Sequence, residues 1–90
     1  MRKLIGFILL PRFEKAYKKS SKNIQKSFHE RRDLLLTDPK NILLAIHKLH
    51  GDFEAFWSMK VTGDVRAVFQ TEGFIALFYD IGTHSQLYGE

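Results

Sequence analysis

Ninety residues, 44% apolar, 27% charged and 13% aromatic, have the composition of one small globular domain and not of a disordered tail. The absence of cysteine excludes a disulfide framework and a zinc finger, and the longest apolar run, Leu4–Leu10, is far short of the ~20 residues that cross a bilayer. The net charge of +4 is unevenly divided: residues 1–50 hold twelve Lys/Arg against four acids, while residues 51–90 hold six acids against only Lys60 and Arg66.

Leu4–Leu10 is rich in Leu and Ile and is stopped by Pro11, which predicts a buried strand. It lacks a small-residue cleavage site, so the expectation is a cytoplasmic protein and not a secreted one. Past Pro11 the period becomes helical. Phe13, Ala16, Tyr17, Ser20 and Ile24 fall on one face, and Lys15, Lys18, Lys19, Lys22 and Lys26 on the other. The Ser20-Ser21 pair favours a cap over a helix interior and predicts two helices, the second from Lys22 to Leu36, ending before Asp38-Pro39. The basic half as a whole suggests a polyanionic or acidic partner.

Residues 41–50 read either as a short helix or as an extended connector, because periodicity alone does not separate the two. From Ala55 onward the pattern is β. Phe56–Val61, Val65–Gln70 and Phe74–Ile81 are strand-length runs separated by turn residues, so neighbours are antiparallel. A three-residue loop at Thr62–Asp64 pairs Lys60 with Arg66 and Met59 with Ala67. Alternation then gives one apolar face (Trp57, Met59, Val61, Val65, Ala67, Phe69) and a second carrying Ser58, Lys60, Arg66, Val68 and Gln70. The expected architecture is one α+β domain over residues 1–90: a small antiparallel sheet of about four strands, with the N-terminal strand and a two-helix hairpin on one face.

Three features carry candidate chemistry. Lys60 and Arg66, side by side on the non-core face, repel one another, which a sheet tolerates when water screens them or an anion lies between them. In the tail Asp80–Tyr88, His84 offers an imidazole that can move protons and Tyr88 offers a ring for stacking on a base. His47 and His50 are three apart, but without Cys or a neighbouring acidic ligand set they predict no metal centre. No cofactor is expected, since Gly63, Gly73 and Gly82 are isolated turn glycines and not a phosphate-binding loop. A nucleophile elbow and a close carboxylate pair are also missing from the sequence.

From Pro11 onward the chain resembles the RelE/YafQ branch of the RelE/ParE toxin superfamily, the toxin half of bacterial type II toxin–antitoxin modules. The resemblance rests on Pro11-Arg12-Phe13, on His47-Lys48-Leu49-x-Gly51, and on Trp57…Val61…Gly63-Asp64-Val65-Arg66-Ala67-Val68-Phe69. The most specific stretch is Asp80-Ile81-Gly82-Thr83-His84-Ser85-x-Leu87-Tyr88. It implies a ribosome-dependent endoribonuclease that cuts mRNA in the A site without a metal, using the substrate's 2′-hydroxyl as nucleophile.

By the same resemblance His84 is the general acid or base, Arg66 holds the scissile phosphate, and Tyr88 stacks on or orients a base. His47 and Asp64 match YafQ-type positions. Lys60 stands where such proteins carry a second histidine, which leaves open what balances His84; His50 has no counterpart. Lys15, Lys18, Lys19, Lys22 and Lys26 become candidates for ribosomal RNA contact, against the alternative of an ordinary solvated face. The implied partners are a cognate antitoxin, the ribosome and mRNA, with operator DNA reached through the antitoxin and no membrane. The competing reading is a non-enzymatic binder, either a ParE-like gyrase inhibitor or an inactive homologue that retains antitoxin binding.

Overall fold

A computed structural model describes residues 3–89. Strand β1 (Gly6–Leu9) leads into α1 (Pro11–Lys18), which Pro11 opens because its missing N–H is one the first helical turn leaves unbonded in any case. Ser21 then caps α2 (Lys22–Thr37), its Oγ accepting from the Ile24 amide at 3.3 Å. The helix break thus falls at the serine pair, as the sequence predicts.

The 41–50 connector contains both conformations its sequence allowed. Ile42–Leu44 form a 3₁₀ turn, tied to α2 by Arg31 Nη1, which donates to the Leu43 carbonyl at 2.6 Å. His47–Lys48 form a two-residue strand, β2. A second 3₁₀ turn at Gly51–Phe53 precedes β3 (Trp57–Lys60), β4 (Val65–Glu72) and β5 (Ile75–Thr83). Helix α3 (His84–Tyr88) follows β5 directly, in a tail for which the sequence suggested only a turn.

Among the described residues the sheet has five strands, in the order β1-β5-β4-β3-β2. Two details correct the expected antiparallel sheet of about four. The additional strand is β2, too short to show a period, and β1 runs parallel to β5 because α1 and α2 carry the chain back across the sheet. The β3–β4 register is as expected, with Lys60 opposite Arg66 and Met59 opposite Ala67.

Helices α1 and α2 cover the predicted apolar face. Phe13, Phe28, Phe69 and Phe78 are fully buried there, with Phe13–Phe28 and Phe28–Phe78 ring centroids 4.8 and 5.0 Å apart. Tilted and edge-on rings of this kind add ~1 kcal/mol per pair to the burial itself. Among the described residues no helix is long and apolar enough to cross a membrane.

Candidate functional site

The second face of the sheet holds the candidate residues, and it is less open than alternation suggests. Ser58 and Val68, placed on it by sequence, are fully buried. Beside Val68 lie two elements without a strong sequence signal, the 51–56 segment and α3, whose Phe53 and Leu87 line a cavity with it. Phe53 packs against Phe56 and Tyr88 (centroids 6.0 and 5.4 Å), and Phe56 against Tyr79 (5.1 Å).

A β-bulge in β5 makes this arrangement possible. Val68 pairs with Asp80 and Phe69 with Phe78, so Tyr79 is the extra residue. Phe78 remains in the main core, whereas Tyr79 and Asp80 both line a cavity of about 90 Å³ with Arg12, Phe53, Val68 and Leu87. Arg12 closes one side of it. Its Nε donates to Asp80 Oδ2 at 3.1 Å, and its guanidinium lies 5.2 Å from the Tyr79 ring centre. The hydrogen bond to Asp80, then the charges of Asp80 and Tyr79, raise the Arg12 pKa above its ordinary value, against a small opposing desolvation. A raised pKa favours the folded protein while Arg12 is protonated, and that contribution disappears only in strong alkali, so this pair gives the fold no pH dependence near neutrality through Arg12.

Lys60, Arg66 and Gly82 form one row across three strands, with Arg66 directly opposite both of the others. Lys60 and Arg66 are both half-buried, and one guanidinium nitrogen of Arg66, Nη1, is shielded from solvent. Opposed side chains in such a row have Cβ atoms about 5 Å apart. His47 pairs with Ser58 and therefore shares this face from the β2 edge, exposed. Asp64 is exposed in the β3–β4 loop, at the end of the sheet that carries the Lys60–Arg66 pair.

The row leads into α3. Thr83 and Gln86 form a reciprocal cap: Gln86 N donates to Thr83 Oγ1 at 3.2 Å, and Thr83 N donates to Gln86 Oε1 at 2.8 Å. This tight turn places His84, exposed, two residues beyond Gly82 and stacks its ring edge-on to Tyr88 with centroids 4.7 Å apart. Leu87 anchors the helix to the sheet, and Gly89 ends it in the left-handed conformation at φ 74°.

His47, Lys60 and Arg66 thus share one sheet face, and His84 with Tyr88 borders it. Lys15, Lys18, Lys19, Lys22 and Lys26 are all exposed on α1, α2 and the turn between them, a separate surface. A larger depression of about 500 Å³, lined by Lys40, Ile42, Ile46 and Trp57 among others, contains none of the candidate catalytic residues. Sequence reading missed Phe53, Tyr79 and the Arg12–Asp80 pair, whose roles depend on contacts distant in the chain. It also missed the cap of α3, although Thr83-His84-Ser85-Gln86 has the spacing of a capping box.

No family model matches the chain, and no curated protein matches it. Solved structures do. The chain superposes on YafQ from E. coli strain BL21(DE3) with a TM-score of 0.80 at 18% identity, over 92% of this chain and 97% of that one. The E. coli DinJ-YafQ toxin-antitoxin complex gives 0.78 at 21% identity, covering 92% and 96%. A YoeB/ParE toxin from Agrobacterium tumefaciens gives 0.75 at 15% identity, covering 88% and 98%. The cationic row and the capped tail helix are therefore carried on the fold shared by the YafQ and YoeB/ParE toxins.

Proposed function

We propose that the protein is the toxin of a toxin–antitoxin pair and a metal-independent endoribonuclease that cuts mRNA on the ribosome. The observation that carries this reading is the pairing of Lys60 with Arg66 on one sheet face, bordered by the stacked His84 and Tyr88. Two adjacent cations suit the two charges of a pentacoordinate phosphorane, which exceed the single charge of the phosphodiester before reaction.

The reaction has three requirements. A base takes the proton of the 2′-hydroxyl, whose oxygen then bonds to the adjacent phosphorus. The bond from phosphorus to the 5′-oxygen breaks, and an acid protonates that oxygen. The products are a 2′,3′-cyclic phosphate and a 5′-hydroxyl end. Arg66 and Lys60 bind the phosphate oxygens, and His84 exchanges the proton at one of the two oxygens. Tyr88 holds the neighbouring base by its ring. His47 and Asp64, exposed at the edge and end of the same face, serve the substrate strand around the cut. The lysines of α1 and α2 supply phosphate-directed contact with ribosomal RNA. An antitoxin partner is supported by the DinJ-YafQ structure, in which YafQ is solved in a toxin-antitoxin complex.

Replacing His84 tests the chemistry. His84→Ala should lower cleavage in a translating extract by about 10²–10⁴-fold with the fold intact. Mapped transcript 5′ ends that are unchanged in rate and position would make the tail histidine a bystander. Inhibition of DNA supercoiling by the purified protein would instead favour a gyrase-directed binder.

A further inference from the structure

We infer that Ser58 is a positioning residue, which orients the Arg66 guanidinium through a buried water shared between Ser58 Oγ and Arg66 Nη1. The inference deepens the nuclease reading and rests on it for its functional consequence. Its structural half stands independently.

Ser58 is the one polar residue among the described residues with no exposure, at 0%. A buried hydroxyl in a strand ordinarily bonds to something. Among the described residues its Oγ has no hydrogen-bond partner, and the other buried side-chain atom in the same condition there is Nη1 of Arg66. Two such atoms in one small domain could lie anywhere, yet the register puts them together. Ser58 is opposite Val68, Arg66 is two residues before Val68 on the same strand, and both side chains belong to the second face. They are diagonal cross-strand neighbours, a separation that long side chains span.

Chemistry restricts what can join them. Nη1 can only donate, whereas a serine hydroxyl donates or accepts. A single water accepts from Nη1 and donates to Oγ, which satisfies both with one molecule and matches how buried polar groups in folded proteins are completed. Arg66 as a whole is half-buried, so Nη1 can be held from within without the residue leaving the surface. A guanidinium anchored in this way is oriented before the phosphate arrives and loses less freedom on binding it.

The test compares wild type with Ser58→Ala and Ser58→Thr. A crystal structure of the free wild type at a resolution that shows waters should place one within hydrogen-bond distance of both atoms. The side-chain protons of Arg66, followed by NMR, should exchange with solvent at least tenfold faster in Ser58→Ala. In Ser58→Thr, which keeps the hydroxyl, they should exchange at nearly the wild-type rate. Cleavage in a translating extract should fall about tenfold in kcat for Ser58→Ala, with ribosome association unchanged and recovery in Ser58→Thr. A Ser58 hydroxyl bonded to its own strand, or Arg66 exchange identical in wild type and Ser58→Ala, overturns the inference. If wild type itself does not cut RNA, the nuclease reading falls, while the exchange and crystallographic results still decide whether Ser58 anchors Arg66.

Discussion

A methyl group added at position 82 would lie 2.9 Å from Gln86 Oε1 and 3.1 Å from Gln86 Cβ. The first contact is with the far end of a flexible side chain, but that end accepts the hydrogen bond that closes the cap of α3. The second is with a Cβ fixed by the helix. Gly82 is therefore required by the close approach of α3 to β5, and not by an unusual φ. Gly82→Ala should cost about 1–3 kcal/mol, as overpacking generally does. Because Gly82 is directly opposite Arg66, the same change should displace His84 and reduce cleavage more than the stability loss explains. Urea unfolding together with single-turnover cleavage checks this; a stable, fully active Gly82→Ala would mean that α3 tolerates displacement.

At the scale of elements, α1 and α2 have a division of labour visible along the chain. Phe13, Ala16, Tyr17 and Ile24 turn inward, and Lys15, Lys18, Lys19, Lys22 and Lys26 turn outward, all exposed. If that outer face meets ribosomal RNA, Lys18→Glu with Lys22→Glu should weaken ribosome co-sedimentation and make it less sensitive to salt, by about one unit of log–log slope for each phosphate the variant no longer neutralises. Unchanged co-sedimentation would leave the lysines as a solvated face only. Local sequence reveals some of these elements and hides others. The Ser20-Ser21 break and the β3–β4 register were legible because each is set by residues next to one another, a cap in one case and a three-residue loop in the other. The parallel pairing of β1 with β5 was not, since it joins residues nearly seventy positions apart. The bulge at Tyr79 shows only as a change in the spacing of buried residues, from Ala76 and Phe78 to Ile81. Of the candidate site, the Lys60–Arg66 pair followed from the loop length and alternation, whereas the aromatic cluster beside it required contacts between Phe53, Phe56, Tyr79 and Tyr88 that no periodicity encodes.

The whole molecule is a sheet with two unequal coats. One side carries two helices and the cluster around Phe13, Phe28, Phe69 and Phe78, all fully buried. The other carries a five-residue helix and a 3₁₀ turn, too short to hold their shape without the sheet beneath them. Stability should therefore be graded across the molecule, high on the helical side and low where the candidate chemistry lies. Phe28→Ala removes a ring from the main cluster and should cost about 3–5 kcal/mol, a large part of the 5–15 kcal/mol available to a domain, reducing protection everywhere. Leu87→Ala removes the anchor of α3. It should free the amides of residues 84–89, including the Gly89 N–H that donates to the Ser85 carbonyl at 2.9 Å, while β4 and β5 keep their protection. Native-state hydrogen exchange distinguishes the two patterns directly. If Leu87→Ala instead lowers protection across β4 and β5 as Phe28→Ala does, the two coats unfold as one cooperative unit. The tail helix could then not loosen around a bound RNA strand without loosening the sheet that holds Arg66 and Lys60.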